Sequence, residues 1–410
     1  MSKYRSTGFG SWCEFEEIFV LFLNMYIKSV EITNFRNIDK MVLEFNKNVN
    51  IFIGKNAQGK TSILESIYVL AFSKGSNGFS DDEMVKKDKL FFKIKGSVKI
   101  INSLKKLEVL YRTGEKRLKL NNCEVKRVSD YVSNMNIIMF SPDDLDIVKK
   151  APLCRRNFIN IELCQLSNDY LRILNEYNKI LKMRNEYIRK NYSKIDYNYL
   201  DIITHSLVDR AILVYKYRDQ YFDDINKIVD NVFFKISKMK GLKIVYKKNV
   251  PVFDNKDDLF SFYKNSYDSD IDKGSTLYGP HRDDFVFMLN DSDLKLYGSQ
   301  GMQRMAVLSL KLSEIDIFKE RCGTYPIVLL DDIFSEIDID KRKNLLRFIK
   351  SNMQFIITTT DINNISEKLI NKASVFTVDN GLIKKRRDRY EWKRLRFFGY
   401  SGFRRFRSSS

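Results

Sequence analysis

One segment constrains the fold of this chain more than any other, because residues 54–61 fit the phosphate-loop pattern G-x-x-x-x-G-K-[ST] at every fixed position. An apolar stretch, residues 49–53, stands directly before it, and apolar side chains recur at helical spacing over residues 62–70. A strand, a glycine loop and a helix in this order favour bound phosphate, since loop N–H groups and the helix N-terminus attract anions. The segment predicts an α/β fold that binds a nucleotide.

The residues of this loop predict distinct roles. Lys60 can reach the β- and γ-phosphates of a nucleotide, and the Thr61 hydroxyl can ligate Mg²⁺. The predicted nucleotide-binding residues of the loop are Gly54, Lys55, Asn56, Ala57, Gln58, Gly59, Lys60 and Thr61.

Two adjacent acids, Asp331 and Asp332, follow the apolar run 327–330. At the end of a strand beside the phosphate loop, Asp331 can hold the hydration shell of Mg²⁺, and Asp332 can orient or deprotonate an attacking water. The competing interpretation is a surface turn after a strand. The pair therefore makes hydrolysis of the nucleotide a hypothesis rather than a conclusion.

A second helix start rich in serine and glycine lies at residues 298–304. Such a start again favours phosphate binding. Since the first loop already holds one set of phosphates, this helix start is most useful over a nucleotide held by another copy, as in ABC-type ATPases. The alternative is an ordinary helix N-cap. The residues concerned are Ser299, Gln300, Gly301 and Gln303.

Charge and rare residues narrow the class of partner. The net charge of +19 favours a polyanion such as nucleic acid, although a lysine-rich proteome would give the same excess. The 5 cysteines are scattered without a C-x-x-C motif, which indicates free thiols in a reducing cytosol. With only 2 histidines, a His-based metal site or a Ser-His-Asp triad is not expected.

The pattern along the chain predicts a head interrupted by a helical arm. Apolar residues recur every three or four positions from 155 to 238, with a polar break at 190–196, which predicts two long helices, the first roughly 40 Å long. The apolar run 18–23 is too short to span a membrane. The predicted divisions are an N-terminal extension at 1–24, the head at 25–154, the arm at 155–240, the rest of the head at 241–383 and a basic aromatic tail at 384–410.

Further motifs carry a family resemblance over residues 25–383. They are I-T-N-F-R-N at 32–37, F-S-P-D-D-L at 140–145, the pair Arg155 and Arg156, Y-G-P-H-R-D-D at 278–284, and L-L-D-D-I-F-S-E-I-D at 329–338. With the phosphate loop and the 298–304 segment, they resemble the RecF family of bacterial recombination-repair ATPases, which is related to the SMC heads. The resemblance implies an α/β ABC-type P-loop ATPase head with a mixed or mainly parallel sheet and an inserted α-helical arm domain.

The resemblance also implies site roles. ATP is expected at the loop, with Ser62 and Arg36 beside it, and Mg²⁺ at Thr61 and Asp331. Lys60 and Asp332 are the expected catalytic residues. The signature residues from Ser299 to Gln303 are expected to contact the ATP of a second copy. With no histidine after the strand that ends near residue 358, we expect slow, switch-like hydrolysis regulated by DNA.

In function, the resemblance implies a DNA-binding clamp that dimerises on ATP and acts at single-stranded, gapped or junction DNA. Recombinase loading, replication restart, the SOS response and mediator proteins of the RecO/RecR type are the expected context. The expected location is the cytoplasm, at the nucleoid, with no membrane partner. The alternative is a structural or chromosome-associated ABC-type ATPase without a repair role.

Overall fold

The computed structural model describes residues 25–76, 79–348, 352–379 and 381–385. The predicted extension 1–24 lies outside the described residues, as does all but the beginning of the predicted tail 384–410. The tail's first two residues belong to a strand. The division of the chain into domains stays a prediction.

The described strands form three sheets. In chain order they are β1 Met25–Phe35, β2 Ile38–Glu44, β3 Val49–Ile53, β4 Phe91–Ile100, β5 Ser103–Arg112, β6 Glu115–Leu120, β7 Cys123–Glu124, β8 Ile137–Phe140, β9 Leu242–Lys247, β10 Asp284–Leu289, β11 Ser292–Asp293, β12 Ile327–Asp331, β13 Phe355–Thr359, β14 Ala373–Asp379 and β15 Leu382–Lys385.

The central sheet has the order β15-β14-β3-β13-β12-β8. Its strands from β14 to β8 run parallel, and only β15 pairs antiparallel at one edge. An antiparallel sheet, β2-β1-β4-β5-β6-β7, and a small sheet, β11-β10-β9, complete the set. The mixed, mainly parallel sheet expected around the phosphate loop is confirmed.

Helices connect and cover these sheets. They are Lys60–Phe72, Asp81–Met84, Ser129–Val132, Asp146–Lys149, Pro152–Leu166, Asn168–Lys190, Tyr197–Ser237, Lys256–Asn265, Tyr267–Lys273, Leu294–Tyr297, Gln300–Cys322, Ile339–Leu346 and Glu367–Ile370. Short 3-10 turns occupy Pro142–Leu145, Ile333–Ser335 and Ile362–Asn364.

The central sheet separates two hydrophobic cores, and the alternation of side chains along a strand explains how. Ile327 and Leu329 of β12 face the core shared with the antiparallel sheet and the helix Lys60–Phe72. Val328 and Leu330 face the core shared with the long helices. Because successive strand residues point to opposite faces, a strand buried on both faces is apolar throughout. This burial fixes the carboxyl ends of the parallel strands, where the site lies.

The helical region differs from the sequence expectation in one respect. The single long first helix is wrong, because the chain breaks at Ser167, which is extended (φ −151°) and caps the next helix through a 3.2 Å bond from the Tyr170 N–H to its hydroxyl. Two helices, Pro152–Leu166 and Asn168–Lys190, therefore replace it. The second, with 23 residues, is about 35 Å long.

Two helices between β9 and β10 had no counterpart in the sequence expectation. The helix Lys256–Asn265 begins with a capping box in which Asn255 and Asp258 bond each other's main-chain N–H groups. The Asn-x-x-Asp spacing was its sequence signal. In the described part of the chain, none of the helices is both long and apolar enough to cross a membrane.

Candidate nucleotide site

The phosphate loop connects β3 to the helix Lys60–Phe72 with a backbone that glycine alone accommodates at two points. A Cβ on Gly54 would lie 2.5 Å from the carbonyl oxygen of Val378. Gly59 has φ +102°, and a Cβ there would lie 2.8 Å from Nδ2 of Asn37. The loop is therefore a tight cradle packed against the neighbouring strand β14 and the β1–β2 turn.

The Lys60 side chain folds back against the backbone of this loop. Its Nζ donates to the carbonyl oxygens of Gly54 (2.7 Å) and Lys55 (2.9 Å). Burial lowers the pKa of this ammonium, while the charges of Asp332 and Asp331 oppose the shift. The side chain is thus held at the loop, in the position from which a P-loop lysine meets phosphate.

A cavity of about 460 Å³ opens beside the loop. This volume lies within the range of small-molecule sites. Its lining combines the loop, the start of the following helix, the two acids and the β1–β2 turn: Arg36, Asn37, Asn56, Ala57, Gly59, Lys60, Thr61, Ser62, Pro142, Asp331 and Asp332. The structure therefore brings together the predicted loop, Arg36, Ser62 and both acids.

Asp331 is held at the end of β12 by two hydroxyls. Thr61 Oγ1 donates to Asp331 Oδ1 over 3.2 Å, and Thr358 Oγ1 donates to the same oxygen over 2.6 Å. Burial raises the pKa of Asp331, while the bonds from Thr358 and Thr61 oppose that shift. A hydroxyl and a carboxylate oxygen in contact are the donor set that a P-loop site offers to Mg²⁺.

Asp332 follows in a left-handed backbone conformation (φ 49°). Its main-chain N–H donates to Thr358 Oγ1 over 3.0 Å. Its side-chain Oδ1 is buried, and within the described chain it has no hydrogen-bond partner. A buried carboxylate oxygen without a partner is costly unless something completes it, so this atom fits an acceptor for a bound water.

Arg36 forms part of the cavity wall and is anchored to the phosphate-loop helix. Its Nε and Nη2 donate to the two carboxylate oxygens of Glu65 over 2.8 and 2.7 Å. The guanidinium carbon also lies 3.9 Å from the centroid of the Phe79 ring. The arginine is thereby fixed in orientation at the edge of the cavity.

The signature segment lies elsewhere. Ser299 caps the helix Gln300–Cys322 by accepting a 3.3 Å bond from the Met302 N–H, and Ser299, Gln300 and Gly301 are exposed. The Gln303 side chain faces inward and donates to the carbonyl oxygen of Leu294 over 2.8 Å. Of the described residues that line the cavity, none belongs to 299–303.

Two ion pairs connect this signature helix to the cavity's surroundings. Arg304 contacts Glu336 through a 2.7 Å ion pair and a 2.5 Å bond to its carbonyl oxygen, just after the loop that follows Asp332. Lys311 contacts Asp144 over 2.5 Å, two residues after the cavity-lining Pro142. The helix position is therefore coupled to two sides of the site.

Three contributors were missed as site residues by sequence reasoning. Asn37 and Pro142 line the cavity, and Thr358 bonds Asp331. Asn37 and Pro142 stood within quoted motifs, so their signal was present. Thr358 had no local signal, because its role depends on β13 lying next to β12.

A parallel sheet with a phosphate loop at the end of one strand, paired acids at the end of another and a separate capped signature helix defines an ABC-type ATPase head. The family model described as RecF/RecN/SMC N terminal domain matches residues 26–384. The chain belongs to this family and, within it, to the RecF proteins of DNA replication and repair.

Relatives support this membership over nearly the whole matched length. The DNA replication and repair protein RecF of Shouchella clausii is 37% identical over 370 residues, covering 88% of this chain and 100% of that protein. The RecF of Ligilactobacillus salivarius is 40% identical, covering 88% and 97%. A solved structure of the recombination mediator protein RecF-ATP in the RecFOR pathway matches with a TM-score of 0.83 at 31% identity, covering 89% of this chain and 99% of that one. These matches favour a function in DNA repair over that of a structural or chromosome-associated ATPase without a repair role.

Proposed function

We propose that this protein is an ATP-operated DNA clamp of recombinational repair, in which two copies close on nucleotide and hold DNA. One observation carries the proposal: the cavity contains the loop, both acids and Arg36, while the capped start of the signature helix is exposed outside it. A half-site of this kind is completed by the signature segment of a second copy.

ATP and Mg²⁺ fit the residues present. Because Gly54 and Gly59 carry no side chains, phosphate can approach the loop backbone closely, and Lys60 adds a positive charge. Thr61 and Asp331 would hold the metal, which supplies charge neutralisation for the phosphates when bound. Within the described residues, no group of three or more His, Cys, Asp or Glu could hold a metal ion by itself.

Asp332 is the proposed general base. Its unpartnered Oδ1 accepts a hydrogen bond from the attacking water and takes its proton. Neither histidine of the chain stands at the cavity: His281 contacts Tyr177, and His205 stacks on Phe260. An aspartate base without a histidine partner favours slow ATP hydrolysis. Slow hydrolysis suits a switch that sets the time of DNA release better than an enzyme with fast turnover.

The DNA and mediator roles follow from family membership and charge. The net charge of +19 favours a sequence-independent, salt-sensitive contact with the phosphate backbone. A solved relative is described as a mediator in the RecFOR pathway, so mediators of the RecO/RecR type are the proposed partners, and gapped or single-stranded DNA the proposed substrate. The proposed location is the cytoplasm, at the nucleoid.

The test measures dimerisation by light scattering and binding to gapped DNA at graded salt, with ATP, with ADP and without nucleotide. The variants are Lys60→Ala and Ser299→Arg, and the matched charge control is the exposed Lys87→Ala. We expect ATP to promote both dimerisation and DNA binding in the wild type and the control. Lys60→Ala should lose nucleotide binding and closure together, whereas Ser299→Arg should bind ATP as a monomer.

The two variants separate the parts of the proposal. If Lys60→Ala dimerises and binds DNA as the wild type does, the ATP-operated clamp is wrong. If Ser299→Arg still closes on ATP, the contribution of the signature segment in trans is wrong, while nucleotide binding at the loop stands.

A further inference from the structure

The Y-G-P-H-R-D-D segment, residues 278–284, is rigidly built but lies outside the nucleotide cavity. Gly279 has φ +125°, and a Cβ there would lie 2.4 Å from the Tyr263 hydroxyl. His281 Nδ1 lies 2.6 Å from the Tyr177 hydroxyl, and its Nε2 lies 3.0 Å from the Thr276 carbonyl oxygen. Burial lowers the pKa of His281 to about 4, so the ring is neutral at pH 7. The segment is therefore a fixed turn packed against the helices Asn168–Lys190 and Lys256–Asn265.

Both acids of this segment are neutralised from within the protein. Asp283 is buried and pairs with Arg218 over 3.0 Å, and it also accepts a bond from the Tyr246 hydroxyl. Asp284 accepts a bidentate pair from Arg155 at 2.5 and 3.0 Å. Neither carboxylate is left to pair with the other arginines nearby.

Two arginines near these acids, Arg156 and Arg282, are not used in these ion pairs. Arg156 donates from Nη1 to the main-chain oxygen of Asp283 over 2.9 Å, which places it beside Arg282. Arg282 is exposed. Among the described residues, neither guanidinium has a carboxylate partner. Burial lowers the pKa of Arg156. The charges of Asp284 and Asp283 oppose this shift, and the charges of Arg218 and Arg282 add to it.

Further cations lie close to the Arg155–Asp284 pair. Arg155 Nη1 and Lys295 Nζ both donate to the carbonyl oxygen of Lys150, over 2.9 and 3.4 Å. Lys149 and Lys295 are exposed. We call the group formed by Arg156, Arg282, Lys149 and Lys295 the arm-base surface.

We propose that the arm-base surface binds the phosphate backbone of nucleic acid, with Arg156 and Arg282 as its principal contacts. A guanidinium offers paired N–H donors that match phosphate geometry. Buried ion pairs hold this turn in place and remove the acids that would compete. Several cations spread over one surface suit a polyanion rather than a single phosphate. The inference rests on the DNA binding proposed above and states where that contact is made.

The test compares the wild type with Arg156→Gln/Arg282→Gln and with Arg156→Lys/Arg282→Lys, measuring binding to a duplex with a gap over a range of salt concentrations. The control, Arg112→Gln/Arg127→Gln, removes the same charge at exposed positions of the antiparallel-sheet region. ATP affinity of each variant reports that the head is folded. We expect the Gln variant to bind DNA more weakly, with a log–log salt slope smaller by about 2 and unchanged ATP affinity.

Each outcome of this comparison either supports or overturns the inference. A reduced slope in the Gln variant, partly restored by Lys and absent in the control, supports the inference. Equal losses in the Gln variant and the control overturn it, because net charge alone then explains binding. Unchanged DNA binding in the Gln variant, with ATP dependence intact in the wild type, overturns the inference but leaves the clamp standing. A wild type that binds no DNA overturns both. Since Arg282 is exposed and has no internal side-chain bond in the described residues, Arg282→Gln alone tests the idea if the double variant loses its fold.

Discussion

Thr358 fixes Asp331 from the neighbouring strand. Its Oγ1 donates to Asp331 Oδ1 over 2.6 Å, and the two residues are register partners at the carboxyl ends of β13 and β12. The same hydroxyl oxygen accepts the main-chain N–H of Asp332 over 3.0 Å. One threonine therefore positions both acids of the candidate site, the first through its carboxylate and the second through its backbone.

We expect Thr358→Val to weaken Mg²⁺-dependent nucleotide binding by roughly 10–100-fold, the usual effect of removing a group that orients a metal ligand. The substitution keeps the side-chain shape while leaving Asp331 without its closer hydroxyl. Nucleotide titration at graded Mg²⁺ measures the effect. Thr359→Val is the matched control, since Thr359 is equally buried on the same strand but bonds Asp361 instead. Equal affinity in Thr358→Val and the wild type would contradict this role.

Asp332→Asn should slow hydrolysis by about 10²–10⁴-fold, because an amide oxygen cannot take the proton of the attacking water. Nucleotide binding should persist, since asparagine tolerates the left-handed backbone at this position (φ 49°). Single-turnover hydrolysis and nucleotide affinity, measured together, separate the two effects. The exposed Asp254→Asn serves as the control. Hydrolysis at the wild-type rate in Asp332→Asn would exclude it as the base.

Local sequence signals predicted the elements of this site because each depends on a few consecutive residues. The phosphate loop, the apolar strand β12 and the two acids after it were all readable in this way. Gly54 and Gly59 carry their own physical requirement, since a side chain at either position would collide with a neighbour. The parallel sheet followed from strands alternating with helices.

Contacts between distant segments could not be predicted from the sequence. Thr358 acts on Asp331 only because β13 lies beside β12, and the sequence gives no order of strands. The break at Ser167 was missed because apolar spacing continues on both sides of it, while the serine's extended backbone interrupts the helix. Arg218 lies in the helix Tyr197–Ser237. No nearby residue in the sequence indicates that its guanidinium pairs with the Asp283 carboxylate, 65 positions away.

Arg218→Met should destabilise the protein by about 3–5 kcal/mol, because it leaves the buried Asp283 carboxylate without its charge partner. Denaturant unfolding measures the loss. The double variant Arg218→Met/Asp283→Asn removes both charges and should recover much of that stability. If the double variant is as unstable as the single one, packing of the Arg218 stem explains the loss and the ion pair does not.

Because the Glu162 carboxyl is buried, we expect the free energy of unfolding to fall as pH rises from about 4.5 to about 8. Burial raises its pKa from 4.5 to about 8, with Lys311 and the bond from Gln165 opposing and Asp144 adding to the shift. Between these values the folded protein holds a proton that the unfolded chain has released, so the stabilisation is complete below pH 4.5 and is lost as pH rises through 8.

Glu162→Gln tests this directly, because the amide stays neutral at every pH. Urea midpoints from pH 5 to pH 9 should show the variant gaining stability over the wild type as pH rises, with the difference levelling above pH 8. The exposed Glu44→Gln controls for the loss of a surface charge and should show no such trend. Glu314, whose pKa is also raised by burial and then by Glu162, should become easier to ionise in the variant. A difference between Glu162→Gln and the wild type that stays constant across this range would contradict a raised pKa at Glu162.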